Sequence, residues 1–102
     1  MGMFACNMDG GAVVAATGSS VSGTITVPTG SNAMRITNTS ATLHVSCEFG
    51  FGSAPTAVLG THLTLAPMES VIVAIGHGIT HVAAIGSAAG PTNVAFMPGH
   101  WN

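Results

Sequence analysis

Five histidines have the clearest potential for chemistry in this sequence, because imidazole serves both as a metal ligand and as a general base. They are His44, His62, His77, His81 and His100. Their spacing is not that of a zinc module, and Cys6 and Cys47 are far from each other in sequence. A hairpin could bring His77 and His81 together, which leaves a metal site as the alternative. The pattern favours solvated or hydrogen-bonded histidines, with no metal and no cofactor.

The acidic residues give little support for catalysis. Asp9, Glu48 and Glu69 are isolated in sequence, and a pair of catalytic carboxylates would need the fold to bring two of them together. The sequence has no Gly-x-Ser-x-Gly elbow, no dinucleotide-binding glycine pattern and no phosphate-binding loop. We therefore expect a protein that is not an enzyme. Glu48 is interpreted as a solubilising charge or as a partner of Arg35.

The charge content is the most unusual feature of the composition. Charged residues make up 4% of the chain, against about 25% in an ordinary soluble domain. Arg35 is the only Lys or Arg, which excludes a basic patch for nucleic acid or for an anionic membrane. A hydrophobic content of 47% and a mean hydropathy of +0.59 exclude a disordered chain. The composition favours a homo-oligomer whose surface faces other protein, and the alternative is a monomer with a solvated Ser/Thr surface.

The spacing of Gly, Pro, Asn and Ser divides the chain into short segments of strand length that are rich in Val, Ile and Thr. Residues 42–49 show the clearest alternation, with Leu43, Val45, Cys47 and Phe49 predicted to face the core. Two more continuously apolar strands, residues 70–75 and 79–85, are predicted to be central, either between the sheets or against a neighbouring subunit, and to be joined by a tight hairpin at residues 76–78. Further strands are predicted at residues 12–16, 21–27, 33–37, 63–65 and 93–97.

About eight short strands without a convincing helix predict an all-β fold, a single small β-sandwich or jelly-roll-like domain over residues 12–102. Residues 1–11 are predicted to form an apolar N-terminal arm that ends in the flexible pair Gly10-Gly11. The arm has no strand periodicity, so we expect it to dock on another subunit rather than on its own domain. Its alternative is to pack into its own core, which is the position favoured for Phe96.

Large apolar side chains at both ends of the chain are the candidate subunit-interface residues, because Met and aromatic side chains are enriched at interfaces. They are Met1, Met3, Phe4, Met8 and Trp101. Cys6 and Cys47 are expected to be free thiols, with Cys47 in the core. Asn38-Thr39-Ser40 matches a glycosylation acceptor, but a turn is the stronger interpretation. The sequence shows neither a secretion signal nor a run of apolar residues typical of a transmembrane helix.

Several segments between residues 34 and 101 resemble small virion structural proteins of tailed bacteriophages, such as head decoration (cement) proteins. They are residues 35–38 (Arg-Ile-Thr-Asn), 45–50 (Val-Ser-Cys-Glu-Phe-Gly), 65–71 (Leu-Ala-Pro-Met-Glu-Ser-Val), 78–85 (Gly-Ile-Thr-His-Val-Ala-Ala-Ile) and 94–99 (Val-Ala-Phe-Met-Pro-Gly). The resemblance covers about two thirds of the chain and does not include the arm.

The resemblance implies a compact β-domain, repeated on a symmetric shell, with no catalytic residues. It implies a capsid decoration or minor head protein that binds the major capsid protein or other virion subunits, located in the virion after assembly in the host cytoplasm. The alternative is a β-sandwich module of a tail or head fibre that binds carbohydrate or another surface. The scarcity of aromatic residues, one Trp and four Phe with no Tyr, disfavours the carbohydrate-binding module.

Overall fold

The structure is a computed structural model that describes residues 4–6, 10–60, 63–76, 78–88 and 92–101, with the backbone alone for residues 4–6. Regular structure in these ranges is entirely β. The strands are β1 (Phe4–Cys6), β2 (Ala12–Ala16), β3 (Val21–Thr24), β4 (Ala33–Asn38), β5 (Val45–Gly50), β6 (Leu63–Leu65), β7 (Ser70–Ala74), β8 (His81–Gly86) and β9 (Thr92–Trp101). Within the described ranges, no helix has the length and apolarity needed to cross a membrane.

The strands form two antiparallel sheets with a jelly-roll order. One sheet has the order β1-β9-β4-β7, with β2 also paired to β9, and the other has the order β3-β8-β5-β6. The pairs β2–β9, β3–β8, β4–β7 and β5–β6 are nested, so the chain folds back on itself around the β5–β6 connection. The predicted single β-sandwich domain is confirmed, and its connectivity is that of a jelly roll.

The core lies between the two sheets and is filled by alternate residues of each strand. The five-stranded sheet contributes Met34, Ile36 and Phe96, all at 0% exposure, and the four-stranded sheet contributes Val45 and Leu65 at the same value. The rings of Phe49 and Phe96 meet edge to face across the core, with centroids 6.5 Å apart. The predicted inward direction of Val45 and Cys47 and the predicted core position of Phe96 are confirmed.

The polar side of β5 is less exposed than its alternation predicts. Ser46 is 1% exposed, because the segment between β5 and β6 passes over this side of the sheet. The backbone N–H of Gly60 donates to Ser46 Oγ over 3.0 Å, and the N–H of Ala57 donates to Ser20 Oγ over 2.8 Å. β5 also begins at Val45 rather than at residue 42, and Leu43 before it is half-buried.

The predicted hairpin at residues 76–78 is wrong. β7 pairs with β4 in one sheet, whereas β8 pairs with β3 and β5 in the other, so the segment between them crosses from sheet to sheet. β8 is central, as predicted, but β7 lies at an edge. Ile72 and Ala74 point away from the core, so β7 is not buried between the sheets, and its contact with a neighbouring subunit stays a prediction.

The backbone of the N-terminal arm forms a strand that the sequence did not predict. Phe4–Cys6 pairs antiparallel with the end of β9, where Phe4 lies opposite Trp101 and Cys6 opposite Gly99. This segment of the arm therefore adds to its own sheet, unlike the predicted docking on another subunit. The side chains of Phe4 and Cys6, and all of Met1, Met3 and Met8, lie outside the described residues.

Asn38 confirms the turn interpretation of Asn38-Thr39-Ser40. Its side chain is fully buried at the end of β4. Nδ2 donates to the carbonyls of Leu43 over 2.8 Å and Ala66 over 3.0 Å, while Oδ1 accepts from the N–H of Ser40 over 3.0 Å. An amide with both hydrogens committed inside the fold is no acceptor for a glycan.

Candidate functional site

The most distinctive surface is the solvent side of the five-stranded sheet, where large apolar side chains point outward. Exposure is 67% for Val13 on β2, 39% for Ile72 on β7, and 39% and 44% for Met97 and Trp101 on β9. We call these four residues the outer apolar face. Because side chains alternate along a strand, the same strands that fill the core with Val14 and Phe96 must direct their intervening residues outward.

The register of the sheet places the members of this face in rows across the strands. Met97 lies opposite Arg35, and Arg35 lies opposite Ile72, so the guanidinium stands between two apolar side chains. Arg35 Nε donates to Ser70 Oγ over 3.2 Å, which holds the cation towards β7. Arg35 is the only Lys or Arg of the whole chain, so the one permanently positive side chain of the protein lies among the residues of the outer apolar face.

A shallow cavity of about 280 Å³ lies at one end of the outer apolar face. It is lined by Asn32, Ala33, Ile72, Ala74 and Trp101. Among the described residues of that lining, Asn32 has the only side-chain amide, and both polar atoms of this amide bond to the backbone of Trp101. Its Nδ2 donates to the Trp101 carbonyl over 3.2 Å, and its Oδ1 accepts from the Trp101 N–H over 2.7 Å. The cavity is suited to an apolar side chain rather than to a polar ligand.

A second group of exposed apolar side chains lies on loops, away from the outer apolar face. Phe51, Val58 and Leu59 belong to the connection between β5 and β6, and Met68 belongs to the turn between β6 and β7. Met68 has a φ of 61°, in the left-handed region that costs a non-glycine residue about 1–2 kcal/mol. The N–H of Met68 donates to the Ser40 carbonyl over 2.9 Å, which helps to fix this conformation.

Within the ranges that the structure describes, the titratable side chains do not converge into a catalytic arrangement. Glu69 Oε1 accepts from the Ala66 N–H over 2.7 Å and caps its own turn, whereas Glu48 lies on β5 in the other sheet. His81 Nδ1 and Thr80 Oγ1 are 2.8 Å apart, and this hydroxyl accepts from the Gly52 N–H. Asp9, His62 and His77 lie outside the described residues, and in the rest no three His, Cys, Asp or Glu residues group as a metal site would require.

The two residues suggested as an ion pair lie in different sheets. Arg35 belongs to β4 of the five-stranded sheet and Glu48 to β5 of the four-stranded sheet. The Cys47 side chain lies in the hydrophobic core. Burial raises the pKa of its thiol from 9.0 to about 12, and it is a free thiol, as predicted. At neutral pH it is a small hydrophobic side chain rather than a reactive one.

Trp101 is the one predicted interface residue whose side chain is described, and it lies on the outer apolar face. Val13, Ile72 and Met97 were not predicted as site residues. The available signal was strand alternation itself: inward-facing residues at 14, 71 and 96 imply outward neighbours at 13, 72 and 97. A large apolar residue in an outward position is the unusual observation.

Comparisons with protein-family models, with curated protein sequences and with solved structures find no match to this chain. A role for the outer apolar face therefore has to follow from its geometry and composition.

Proposed function

We propose that this chain is a non-enzymatic structural protein of a virion, a capsid decoration (cement) or minor head protein that binds neighbouring subunits on the particle. The observation that carries the proposal is the outer apolar face on a chain with 4% charged residues. A monomer with so little charge and with Val13, Met97 and Trp101 exposed has weak protection against association. Contact with other protein subunits removes that apolar surface from water.

The fold is compatible with this role, but proteins with other roles have the same fold. Jelly rolls serve as viral capsid domains, but lectins and cupins use the same architecture. What favours a structural partner is the chemistry of the surface. The outer apolar face has one cation, Arg35, and the Asn32 amide in the cavity is committed to Trp101. Such a surface offers contact area to a protein and few free polar groups to a small ligand.

The alternative is a surface- or carbohydrate-binding module of a tail or head fibre, and the exposed Trp101 beside a cavity is the observation in its favour. Trp101 is the only tryptophan of the chain, so its fluorescence reports directly on a ligand bound there. We expect titration with a panel of oligosaccharides to leave the emission unchanged. A saturable shift that is lost in Trp101→Ala would favour the fibre module instead.

Purified particles provide the first test of a virion role. Intact virions are isolated on a density gradient from a culture that produces them, and peptides of this chain are quantified against the major capsid protein by mass spectrometry. We expect a fixed ratio between the two proteins across independent preparations, as a repeated site on a symmetric shell requires. A chain that is abundant in the lysate but missing from the particles contradicts the proposal.

The second test asks which surface binds the particle. Purified chain is added back to particles that lack it, and bound protein is measured after sedimentation. Val13→Asp places a charge on the outer apolar face. Ser22→Asp places the same charge at an exposed position of β3, in the other sheet. We expect the first variant to lose binding and the second to retain it. Equal binding by both variants would remove the outer apolar face from the proposal.

A further inference from the structure

β7 is the strand at one edge of the five-stranded sheet, and it has five residues. Ser70–Ala74 pairs with β4 on one side, and no other described strand pairs with it. Its sequence, Ser-Val-Ile-Val-Ala, contains no charge, no proline and no glycine. Soluble proteins usually protect such an edge with a charged residue, a proline or a bulge, since an open edge pairs readily with another chain.

The hydrogen bonds at both ends of β7 show which of its backbone groups are directed away from β4. Ile75 N–H donates to the Asn32 carbonyl over 3.0 Å, and the Glu69 carbonyl accepts from the Asn38 N–H over 2.9 Å. Because directions alternate along a strand, residues 69, 71, 73 and 75 direct their backbone groups to β4. The N–H and C=O groups of Ser70, Ile72 and Ala74 therefore point outward from the edge.

Three outward-directed residues centred on Ile72 make this edge complementary to itself. In an antiparallel pairing of two β7 strands, Ile72 lies opposite Ile72 of a second copy, and Ser70 lies opposite Ala74 of that copy. Each of these is a hydrogen-bonded pair, so all six outward groups of each strand gain partners. The arrangement has two-fold symmetry, which is the commonest symmetry of homo-oligomers.

The side chains also suit a second copy of the same strand. On the solvent side, the Ile72 side chains of the two copies become direct neighbours, which removes part of the outer apolar face from water. On the core side, Val71 and Val73 are half-buried, and each would lie opposite the other residue of the second copy. No like charges meet, because the flanking Glu69 is one position before the strand and its carboxylate is bonded to Ala66 N–H.

The other edges are less suited to this pairing. β3 and β6, at the edges of the four-stranded sheet, have four and three residues. β2 has five residues, but other segments occupy both of its ends. The Thr26 carbonyl and the Pro28 ring lie against Gly10 before it, and the Thr17 carbonyl after it accepts from the Gly86 N–H over 2.7 Å.

We propose that two copies of this chain associate through antiparallel pairing of their β7 strands about Ile72, which joins the two five-stranded sheets into one continuous sheet. The partner is a second copy of the chain itself. This interface concerns the protein in solution and does not depend on a virion role, so either proposal can fail without the other. A dimer would also present two outer apolar faces side by side to a larger partner.

Light scattering coupled to size-exclusion chromatography tests the association. At about 100 μM, where a dimer with a micromolar Kd is largely formed, we expect twice the chain mass of 10.0 kDa. Ile72→Lys places two ammonium groups opposite each other and should raise the dimer Kd about 100-fold or more, while circular dichroism stays that of the folded domain. Val13→Lys is the matched control: it adds the same charge to the same face, on β2, and should stay dimeric.

Oxidative cross-linking tests the register in a Cys6→Ser background, where the remaining Cys47 is buried. Ile72→Cys should form a disulfide-linked dimer, because the Cα atoms of a hydrogen-bonded antiparallel pair lie about 5.5 Å apart, within the range of a disulfide. Ser70→Cys should not cross-link to itself, but it should cross-link to Ala74→Cys when the two variants are mixed.

Three results would overturn the proposal. The wild-type chain could be monomeric at about 100 μM, where a micromolar dimer forms. Val13→Lys could dissociate the dimer as strongly as Ile72→Lys, which would locate the interface on the outer apolar face rather than on the edge. A dimer without the disulfide at position 72 would mean another strand, another register or a strand from the N-terminal arm of a neighbouring copy.

Discussion

Asn38 shows how one buried amide holds an end of the sandwich together. Its three hydrogen bonds connect the end of β4 to Ser40, to Leu43 before β5 and to Ala66 after β6. A buried carbonyl that loses its donor costs about 1–3 kcal/mol. Asn38 therefore connects β4 to two chain segments, at Leu43 and at Ala66, that lie outside the strands.

Replacing Asn38 by Asp gives a pH-dependent test of this role. An ionised carboxylate at position 38 has no hydrogen to donate to the carbonyl oxygens of Leu43 and Ala66, which it would face. The pKa of this carboxyl group in the folded state should therefore rise. The free energy of unfolding of the variant is then highest at low pH. It decreases as pH rises above about 3.9, the pKa of Asp in the unfolded chain. We expect a loss of about 3–5 kcal/mol at pH 7, from urea denaturation, with partial recovery near pH 3.

The control for that substitution is Asn93→Asp, because Asn93 is an exposed residue on β9. It should change stability by no more than about 0.5 kcal/mol. The comparison of the two variants cancels the pH dependence that they share. An Asn38→Asp variant as stable at pH 7 as the control would mean that the turn does not depend on this amide.

The Cys47 thiol predicts an unusually simple alkaline transition. Burial raises its pKa from 9.0 to about 12, so between these values the unfolded chain loses a proton that the folded chain keeps. The contribution of the Cys47 thiol to the free energy of unfolding is therefore fully present below pH 9.0. It decreases as pH rises towards about 12, by about 1.4 kcal/mol per pH unit. The chain has neither Lys nor Tyr, so the other groups that titrate in this range are few.

The measurement is urea denaturation from pH 8 to pH 11 in a Cys6→Ser background, which leaves Cys47 as the only thiol. The matched variant adds Cys47→Ala, which removes the titrating group at the cost of a small cavity. We expect the slope with pH to disappear in the variant even though its stability at pH 8 is lower. An equal slope in both proteins would assign the alkaline sensitivity to another group.

At the level of single elements, β5 gives the sharpest test of the two-sheet packing. Val45 is fully buried in the core, whereas the preceding His44 is exposed. Val45→Asp should cost about 3 kcal/mol or more, because it leaves a charge buried without a partner. His44→Asp should change stability by no more than about 0.5 kcal/mol. Equal losses of the denaturation midpoint at both positions would contradict the placement of Val45 in the core between the two sheets.

β5 and β7 also show how far the sequence could predict the fold. The alternation through Val45 and Cys47 predicted the correct inward side, because burial on one side leaves a period of two. The apolar run of β7 left two environments open, burial between the sheets and contact with a neighbouring subunit, since Ile72 has the residue type of a core position although it is exposed. An edge that serves as an interface has the composition of a core, and a single sequence does not distinguish the two.

The connection between β7 and β8 failed for a related reason. A hairpin and a crossing between sheets both need turn residues, and Gly76 and Gly78 satisfy either. The nested pairing of a jelly roll brings together strands that are distant in sequence, such as β2 with β9. Local patterns carry no information about these partners, which is why strand positions were predicted better than strand order. The outer apolar face was missed because its four residues come from three such strands.

For the whole molecule, the nested order indicates which parts of the chain the fold requires. β2 to β9 contain all four nested pairs, and the core residues of both sheets belong to them. β1 adds three residues to the end of β9, beyond the segment that β2 covers. The domain from residue 12 onward therefore contains a complete jelly roll, with β1 as an addition at one corner.

Deleting residues 1–9 tests this division of the chain. The loss of the β1 ladder should lower the stability of the domain by about 1 kcal/mol, which for a domain of this size corresponds to about 4–8 °C in Tm. The truncated chain should keep the circular dichroism of the full chain and its association through β7. If the remaining arm side chains dock on a neighbouring subunit, as the sequence predicts, binding to particles should decrease much more than stability. A truncated chain that is unfolded at room temperature would instead make residues 1–9 an essential part of the domain's own structure, because removal of a three-residue edge strand alone is too small a change to unfold it.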